Sequence, residues 1–460
     1  MRTYKRSLLA LLCFVSTASQ AVDTTLPPQI AAPVKPSSAQ ETVRAPLSDS
    51  TLRKRMLLLG IDPDSAQGQV LLPFFKKTFN DPKLLKRVLD SEGGGFSLLD
   101  AKLSPAERLR SLQLMNTMVT ATPADCKVFR DSQKGDFFQY LPQMSPQAVQ
   151  SFVDLAEIAL MQKPSNHDSE NEGTIEERLE ADKLLNTALR SSSGKSGASQ
   201  PEPCEQVRAL VDQVSSVPEP LQSRASLALL RWMEHQPSTA DEVLRNPERY
   251  LDEAFDEHAL PRSIHSNLPP DGSRPLSFKR AVFDLEWINK ATPTSSQRIT
   301  GTLINRHNNG VIASVVVPVN PPKNYNWAQF SLVYGTARLR AHLVEPTLRE
   351  SQTNLHDAAA LVAANQPLYE GATLRIPLPQ PDPRGEKERV CTVGHKRPAA
   401  AIFNELTGSA IDMHCKQTSP EGEVTEFHDV WLTDYQADLT LSIQNQYGKD
   451  ELVIHGVTIQ

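Results

Sequence analysis

The sequence predicts an α+β protein, in which an N-terminal all-α helical domain is followed by a C-terminal antiparallel β-sandwich or open barrel. Helix-start signals and apolar residues at three- and four-residue spacing recur from residue 51 to residue 260. From residue 276 onward the apolar period changes to two, as in half-buried strands. The 460 residues suffice for two or three domains, each with its own core.

Residues 1–21 have the three parts of a secretory signal peptide. Arg2, Lys5 and Arg6 form the charged part, and residues 8–15 are apolar but too few to span a bilayer as a helix. Small residues precede the expected cleavage at the end of this segment. The alternative is an uncleaved anchor. We expect export and a periplasmic or secreted mature chain without a transmembrane segment.

Residues 22–50 are rich in Pro, Ala, Ser and Thr and have no apolar period, which predicts a disordered spacer. The chain carries 48 Lys and Arg residues against 54 Asp and Glu residues, a net charge of −6. Loss of residues 1–21 removes three basic residues and no acidic ones, so 45 remain against 54, a net charge of −9. This charge disfavours nucleic acid and anionic lipid as principal partners.

Capping signals mark the helical domain, which we predict over residues 51–260. Ser104 and Glu107 form a capping box with proline at the first helical position between them. Similar boxes begin at Thr174 and Thr239. Each cap of this kind stabilises a helix by about 1 kcal/mol, so about eight helices are expected to form.

A Pro-rich linker over residues 261–275 leads into the β-domain, predicted over residues 276–460. Residues 307–310, His-Asn-Asn-Gly, end in the Asn-Gly pair of a tight hairpin and lie between two β-branched runs. About eight strands joined by polar turns predict antiparallel pairing. The last three strands are expected over residues 423–432, 437–444 and 451–459.

Four cysteines follow the signal peptide: Cys126, Cys204, Cys391 and Cys415. An even number of cysteines in an exported protein indicates disulfide bonds. Three pairings are possible, and the simplest is one bridge in each domain, Cys126 with Cys204 and Cys391 with Cys415. Loop-closure entropy assigns these bridges roughly 4 to 5 and roughly 3 to 4 kcal/mol of stability.

Cys391, His395, His414 and Cys415 carry the side chains that bind zinc. Zinc binds thiolates, whereas paired cysteines in an exported protein are usually oxidised. His414 and Cys415 are also adjacent, so on a strand their side chains point to opposite faces. The sequence therefore favours a disulfide over a metal site in this segment.

Asp168, Glu170 and Glu172 precede Gly173 in the order of a calcium-binding loop between two helices. The last position of such a loop requires a bidentate glutamate, and Leu179 stands there. We therefore expect a solvated acidic loop rather than a calcium site. The sequence predicts neither a metal nor a cofactor.

Motifs for nucleophilic, zinc-dependent and nucleotide-dependent catalysis do not occur: the sequence lacks G-x-S-x-G, H-E-x-x-H, P-loop and G-x-G-x-x-G patterns. His428 and Asp429, with Asp434 nearby, form the densest polar cluster on predicted strands. Cross-strand hydrogen bonding accounts for such a cluster as readily as catalysis does. We predict no catalytic residue.

Aromatic residues concentrate in the β-domain, among them Tyr325, Trp327, Trp431 and Tyr435. On one exposed face these side chains would bind a sugar or an extended peptide. The alternative is packing in the core or at a sheet edge.

These observations favour an exported, envelope-associated protein without enzymatic activity. The helical domain would be a scaffold, and the disulfide-bonded β-domain would bind a protein or an envelope polymer. One alternative is a hydrolase of envelope polymers or peptides, and another is a ligand-binding protein with a pocket between its domains. An open strand edge or a flat apolar patch would indicate a binding module. A deep pocket with convergent His, Asp or Glu would indicate an enzyme.

Overall fold

The computed structural model describes residues 48–90, 98–99, 101–132, 140–161, 173–193, 203–292, 296–322, 326–346, 352–380, 385 and 387–460. Within them helices come first and an antiparallel sheet follows, which confirms the predicted α+β class. None of the described helices is long and apolar enough to cross a membrane. The predicted signal peptide and the predicted spacer up to residue 47 lie outside the described residues.

The α-helices that precede the sheet mostly begin at the proline, serine or threonine signals seen in the sequence. They are α1 Asp49–Leu58, α2 Ala66–Asn80, α3 Pro82–Asp90, α4 Pro105–Thr120, α5 Pro123–Ser132, α6 Pro146–Met161, α7 Ile175–Ser193, α8 Pro203–Ser216, α9 Leu221–Met233, α10 Thr239–Arg245, α11 Pro247–Ala254 and α12 Arg262–His265. A further helix, α13 Ala358–Ala364, lies among the strands.

The strands are β1 Arg280–Asn289, β2 Ser296–Ile304, β3 Val311–Pro318, β4 Ala328–Tyr334, β5 Ala337–Val344, β6 Thr353–Asn354, β7 Thr373–Pro377, β8 Glu388–Pro398, β9 Ser409–Thr418, β10 Val424–Leu432, β11 Ala437–Asn445 and β12 Gly448–Ile459. They form one twelve-stranded antiparallel sheet in the order β6-β5-β4-β3-β2-β1-β12-β11-β10-β9-β8-β7. Neighbours in the sheet are thus neighbours in sequence, except that β1 pairs with β12. A single bridge between Asn354 and Gln380 links β6 to the residues after β7.

The chain divides into two compact units. The described residues of Met1–Gly173 and Leu184–Gln236 form the helical unit, and those of Thr174–Lys183 and Pro237–Gln460 form the sheet unit. The sheet unit includes α10 and α11, which the sequence prediction assigned to the helical domain, and α12, which lies within the predicted linker over residues 261–275. The physical reason is that these helices bury their apolar side chains against strands β3, β4 and β5.

The capping box predicted at Ser104 begins α4 in the helical unit. The Ser104 backbone N–H donates to the Glu107 carboxylate at 2.8 Å, and the Glu107 backbone N–H donates to Ser104 Oγ at 3.4 Å. Behind this cap, α1, α2 and α6 share an apolar core that includes fully buried Leu71. A disulfide between Cys126 and Cys204 joins α5 to α8.

Helix α10 begins with a cap one residue before the predicted one. Ser238, not Thr239, is the N-cap residue, and it forms a capping box with Asp241 at 3.0 and 3.1 Å. The Thr239 backbone N–H instead donates to Asp182 at 2.6 Å. Thr239 is buried, so its position is decided by tertiary packing rather than by local capping.

Two of the apolar cores among the described residues hold most of the strands of the sheet unit. Tyr250 of α11 packs edge to face on Phe330 of β4, with ring centroids 4.9 Å apart, and its hydroxyl lies 2.7 Å from His342 Nδ1. A second core joins β1 and β2 to β10, β11 and β12 around Phe283 and Val430. The predicted hairpin over residues 307–310 connects β2 to β3.

Candidate functional site

The segment predicted as a disulfide or a zinc site contains a disulfide. Cys391 and Cys415 are directly opposed on β8 and β9 and are bonded to each other, so neither offers a thiolate to a metal. His395 is exposed and pairs with an acidic neighbour at 2.7 Å, while His414 stacks on His428. No group of three or more His, Cys, Asp or Glu among the described residues is arranged to hold a metal ion. The calcium-loop candidates lie outside the described residues: Asp168, Glu170 and Glu172.

The aromatic residues predicted as a possible binding face belong to the interior where the structure describes them. Trp431 is 5% exposed and packs in the core around the Cys391 disulfide. Tyr435 is 1% exposed, and its ring lies 5.8 Å from that of Phe283. Trp327 is half-buried against the same core as Tyr435. Core packing, the alternative reading, is therefore the role of Trp431 and Tyr435. Tyr325 lies outside the described residues.

A polar cluster surrounds His428 on β9 and β10. His428 Nε2 lies 3.1 Å from Asp412 Oδ1, and the imidazole stacks on that of His414 with centroids 4.9 Å apart. Arg397 donates to the same Asp412 oxygen at 2.9 Å. Ser442 of β11 lies opposite His428 in the sheet register, but within the described residues no hydrogen bond joins their side chains. This part of the structure therefore contains no serine activated by the His428–Asp412 pair.

The strongest candidate for a binding site is a strand edge inside the sheet. Strands β11 and β12 pair at only four positions next to their turn, over residues 442–445 of β11. Strand β11 nevertheless begins at Ala437, and β12 continues to Ile459 while paired with β1 on its other side. Among the described residues, 452–459 of β12 therefore have no partner strand on the β11 side, and we call them the free edge.

A β-bulge on each strand accounts for the separation. Leu441 is an extra residue in the pairing of β11 with β10, and His455 is an extra residue in the pairing of β12 with β1. An extra residue bends its strand and increases the local twist. Leu441 directly precedes the four paired positions of β11, and His455 lies four residues beyond those of β12, so each strand bends where the pairing between them has ended.

Alternate residues of the free edge direct their backbone groups away from β1. Gln460 exchanges two hydrogen bonds with Arg280 of β1, with distances of 2.8 and 3.2 Å. Backbone groups alternate in direction along an antiparallel strand. The N–H and C=O groups of Val457 and Ile459 therefore point to the side of β12 that lies away from β1. The Val457 N–H has a side-chain partner there, because Glu405 Oε2 accepts from it at 3.3 Å.

Apolar side chains accompany these backbone groups. Val453 is 38% exposed and Ile459 is 41% exposed, although both lie on a strand in the middle of the sheet. Partly buried side chains of both separated strands pack on the core around Phe283: Leu439, Leu441, Ile454 and Val457. Free backbone groups beside apolar side chains are the two requirements for adding a strand to a sheet.

One carboxylate contacts the free edge, and a second lies on the part of β11 that has separated from β12. Glu405 is exposed, and its carboxylate accepts the hydrogen bond from the Val457 N–H. Asp438 lies on the part of β11 that pairs with β10 but not with β12, and it forms no ion pair within the described residues. Burial raises the pKa of the nearby Asp429 carboxyl, the charge of Arg389 at 3.1 Å opposes this effect, and the charge of Asp438 adds to it. A cation bound near Asp438 would reduce this repulsion.

Comparisons with protein families, curated proteins and solved structures give no match for this chain. The candidate site is therefore supported by the geometry of this chain alone. Sequence reasoning located strands β11 and β12 but missed Glu405, Asp438 and the free edge. One usable signal is strand length: β12 has 12 residues against 9 for β11 across a two-residue turn, so the end of β12 must extend past β11.

Proposed function

We propose that this chain is an exported, non-enzymatic binding protein whose sheet unit takes up an extended segment of a partner protein along the free edge of β12. The observation that carries the proposal is the separation of β11 from β12, which leaves residues 452–459 without a partner strand in the described part of the chain. A free edge is a template for strand addition, because its unpaired N–H and C=O groups bind another backbone.

The charge around the free edge specifies the kind of segment. Glu405 contacts the edge, Asp438 lies on the separated part of β11, and the whole chain carries a net charge of −6. Side chains of an added strand alternate between the two faces of the sheet. The partner segment therefore alternates apolar residues with lysine or arginine. A protein segment is favoured over an envelope polymer, because a strand edge recognises a peptide backbone.

Two further observations support export to the periplasm or the medium. Disulfides Cys126–Cys204 and Cys391–Cys415 are typical of proteins from an oxidising compartment. Residues 1–21 have the composition of a signal peptide. An exported chain with a free strand edge would meet its partner in the envelope or outside the cell.

The test uses a fluorescent peptide of about eight residues that alternates lysine and valine, which matches the length of the free edge. Binding to the full chain is measured by fluorescence anisotropy. Ile459→Pro removes an N–H on the open side and leaves the β1 ladder intact, so binding is expected to weaken by about tenfold or more. Ile459→Ala keeps that N–H and is the matched control, with an expected loss of about threefold or less.

Circular dichroism of both variants checks that the sheet is retained. Equal binding by Ile459→Pro and the wild-type protein would contradict the proposal. Failure of the wild-type protein to bind the peptide would contradict it as well.

A further inference from the structure

We infer that Glu405 makes the free edge selective for basic segments by occupying the Val457 N–H in the unbound protein. The inference rests on the proposed function, because it concerns the same edge. Its starting point is that the carboxylate of Glu405 takes the place of a strand carbonyl at 3.3 Å from Val457 N. The Val457 N–H therefore donates to a charged carboxylate, whereas in a paired strand it would donate to a neutral carbonyl.

The backbone that carries Glu405 is held firmly in place. Residues 399–408 connect β8 to β9, and the Ala399 N–H donates to the Gly408 carbonyl at 3.0 Å, which closes the connection. Ala399 and Leu406 are buried in the core beneath the sheet, at 0% and 3% exposure. Glu405 itself is exposed. The carboxylate can therefore leave Val457 by rotation of its own side chain, without movement of the connection.

Gly408 explains why this connection approaches the turn between β10 and β11 so closely. Its φ of +76° suits glycine, and a Cβ built there would lie 2.0 Å from Asp434 Oδ1. The Thr407 N–H also lies 3.4 Å from the hydroxyl of buried Tyr435. These contacts hold the backbone of Thr407 and Gly408 in position, and this keeps the nearby Glu405 side chain within reach of β12.

Selectivity follows from what replaces the Glu405 contact. A neutral strand must displace the carboxylate and gives it no new partner. A basic strand also displaces it, but a lysine beside Val457 offers the released carboxylate a charge-assisted hydrogen bond. The contact between Glu405 and the Val457 N–H therefore lowers the affinity for neutral segments and leaves the affinity for basic segments almost unchanged. Glu405 is in this sense a specificity-determining residue.

The experiment compares two peptides of about eight residues, one alternating lysine with valine and the other alternating threonine with valine. In Glu405→Ala the neutral peptide is expected to bind about fivefold more tightly, because the Val457 N–H is free, while the basic peptide gains nothing. The ratio of the two affinities then falls about fivefold or more. Glu405→Gln keeps an acceptor without the charge, so the neutral peptide is expected to bind as to the wild-type protein and the basic one more weakly.

Glu421→Ala is the matched control, since Glu421 is an exposed carboxylate in the turn between β9 and β10. It is expected to leave the affinity ratio unchanged. An unchanged ratio in Glu405→Ala, or an equal gain for both peptides, would overturn the inference while the proposed function stands. If neither peptide binds the wild-type protein or any variant, the proposed function itself fails.

Discussion

Acidification is expected to destabilise the sheet unit through one buried histidine. His342 of β5 is 7% exposed, and its Nδ1 lies 2.7 Å from the hydroxyl of buried Tyr250. Burial, together with the nearby charges of Arg340 and Lys183, lowers the pKa of His342 from 6.5 to about 3. The imidazole is therefore neutral in the folded protein at neutral pH, and its Nδ1 shares a hydrogen bond with the Tyr250 hydroxyl.

The sign and size of the effect follow from proton linkage. Because the pKa of His342 is lower in the folded state, the unfolded chain takes up a proton between pH 6.5 and about 3 while the folded chain does not. The stability that neutral His342 contributes is complete above pH 6.5 and is lost as the pH falls. Each pH unit corresponds to about 1.4 kcal/mol, so acidification from pH 6.5 to about 4.5 costs about 2.7 kcal/mol.

The assay is urea unfolding at several pH values, followed by tryptophan fluorescence. A Trp232→Phe background removes the tryptophan of the helical unit and leaves three in the sheet unit: Trp287, Trp327 and Trp431. His342→Asn keeps an acceptor for Tyr250 but does not titrate. The unfolding free energy of the parent is expected to fall with acidification by about 1.4 kcal/mol per pH unit more than that of His342→Asn.

Other titrating groups, such as Asp256 with its pKa of about 2, are common to both proteins and cancel in this difference. Parallel pH profiles for the parent and His342→Asn would refute the reasoning. Such a result would mean that the pKa of His342 is the same in the folded and unfolded states.

Two further substitutions test the segment around the Cys391 disulfide by urea unfolding. Joint replacement Cys391→Ala and Cys415→Ala is expected to lower the unfolding free energy by about 3 kcal/mol, because the bridge spans a sequence separation of 24; a loss below about 1 kcal/mol would contradict this. Gly422→Ala, at φ +87° with open space around it, is expected to cost about 1 to 2 kcal/mol. Gly408→Ala, at φ +76°, is expected to cost at least as much, because its Cβ also displaces the Asp434 carboxylate; a smaller loss than for Gly422→Ala would contradict this.

Local signals in the sequence predicted elements better than they predicted the site. The cap at Ser104 was predictable because a capping box depends on residues three positions apart. The cap at Thr239 was displaced by one residue because Asp182, distant in sequence, binds its backbone N–H. The Cys391–Cys415 disulfide was predictable from the number of cysteines and the expected compartment. The free edge was not, because it depends on how β12 bends relative to its neighbours β1 and β11.

The aromatic residues and the bulges show why the candidate site was beyond local reasoning. Alternation along a strand says that Trp431 and its neighbours face opposite sides of the sheet, but not which side is covered. Trp431 proved to be core on one side of the sheet, and Tyr435 lies in a core as well. The bulges at Leu441 and His455 leave no recognisable pattern, because an extra residue is defined only by the register of a partner strand.

The pairing of β1 with β12 has a consequence for biosynthesis. Ala281 and Ile459 are Cα partners, so the sheet cannot close until nearly all of its strands have left the ribosome. During that interval β1 would expose one unpaired side of an apolar strand, and such long-range pairing is slow to form. Strand β1 would therefore keep unpaired N–H and C=O groups until β12 has been synthesised, and aggregation through that edge is the expected failure during folding.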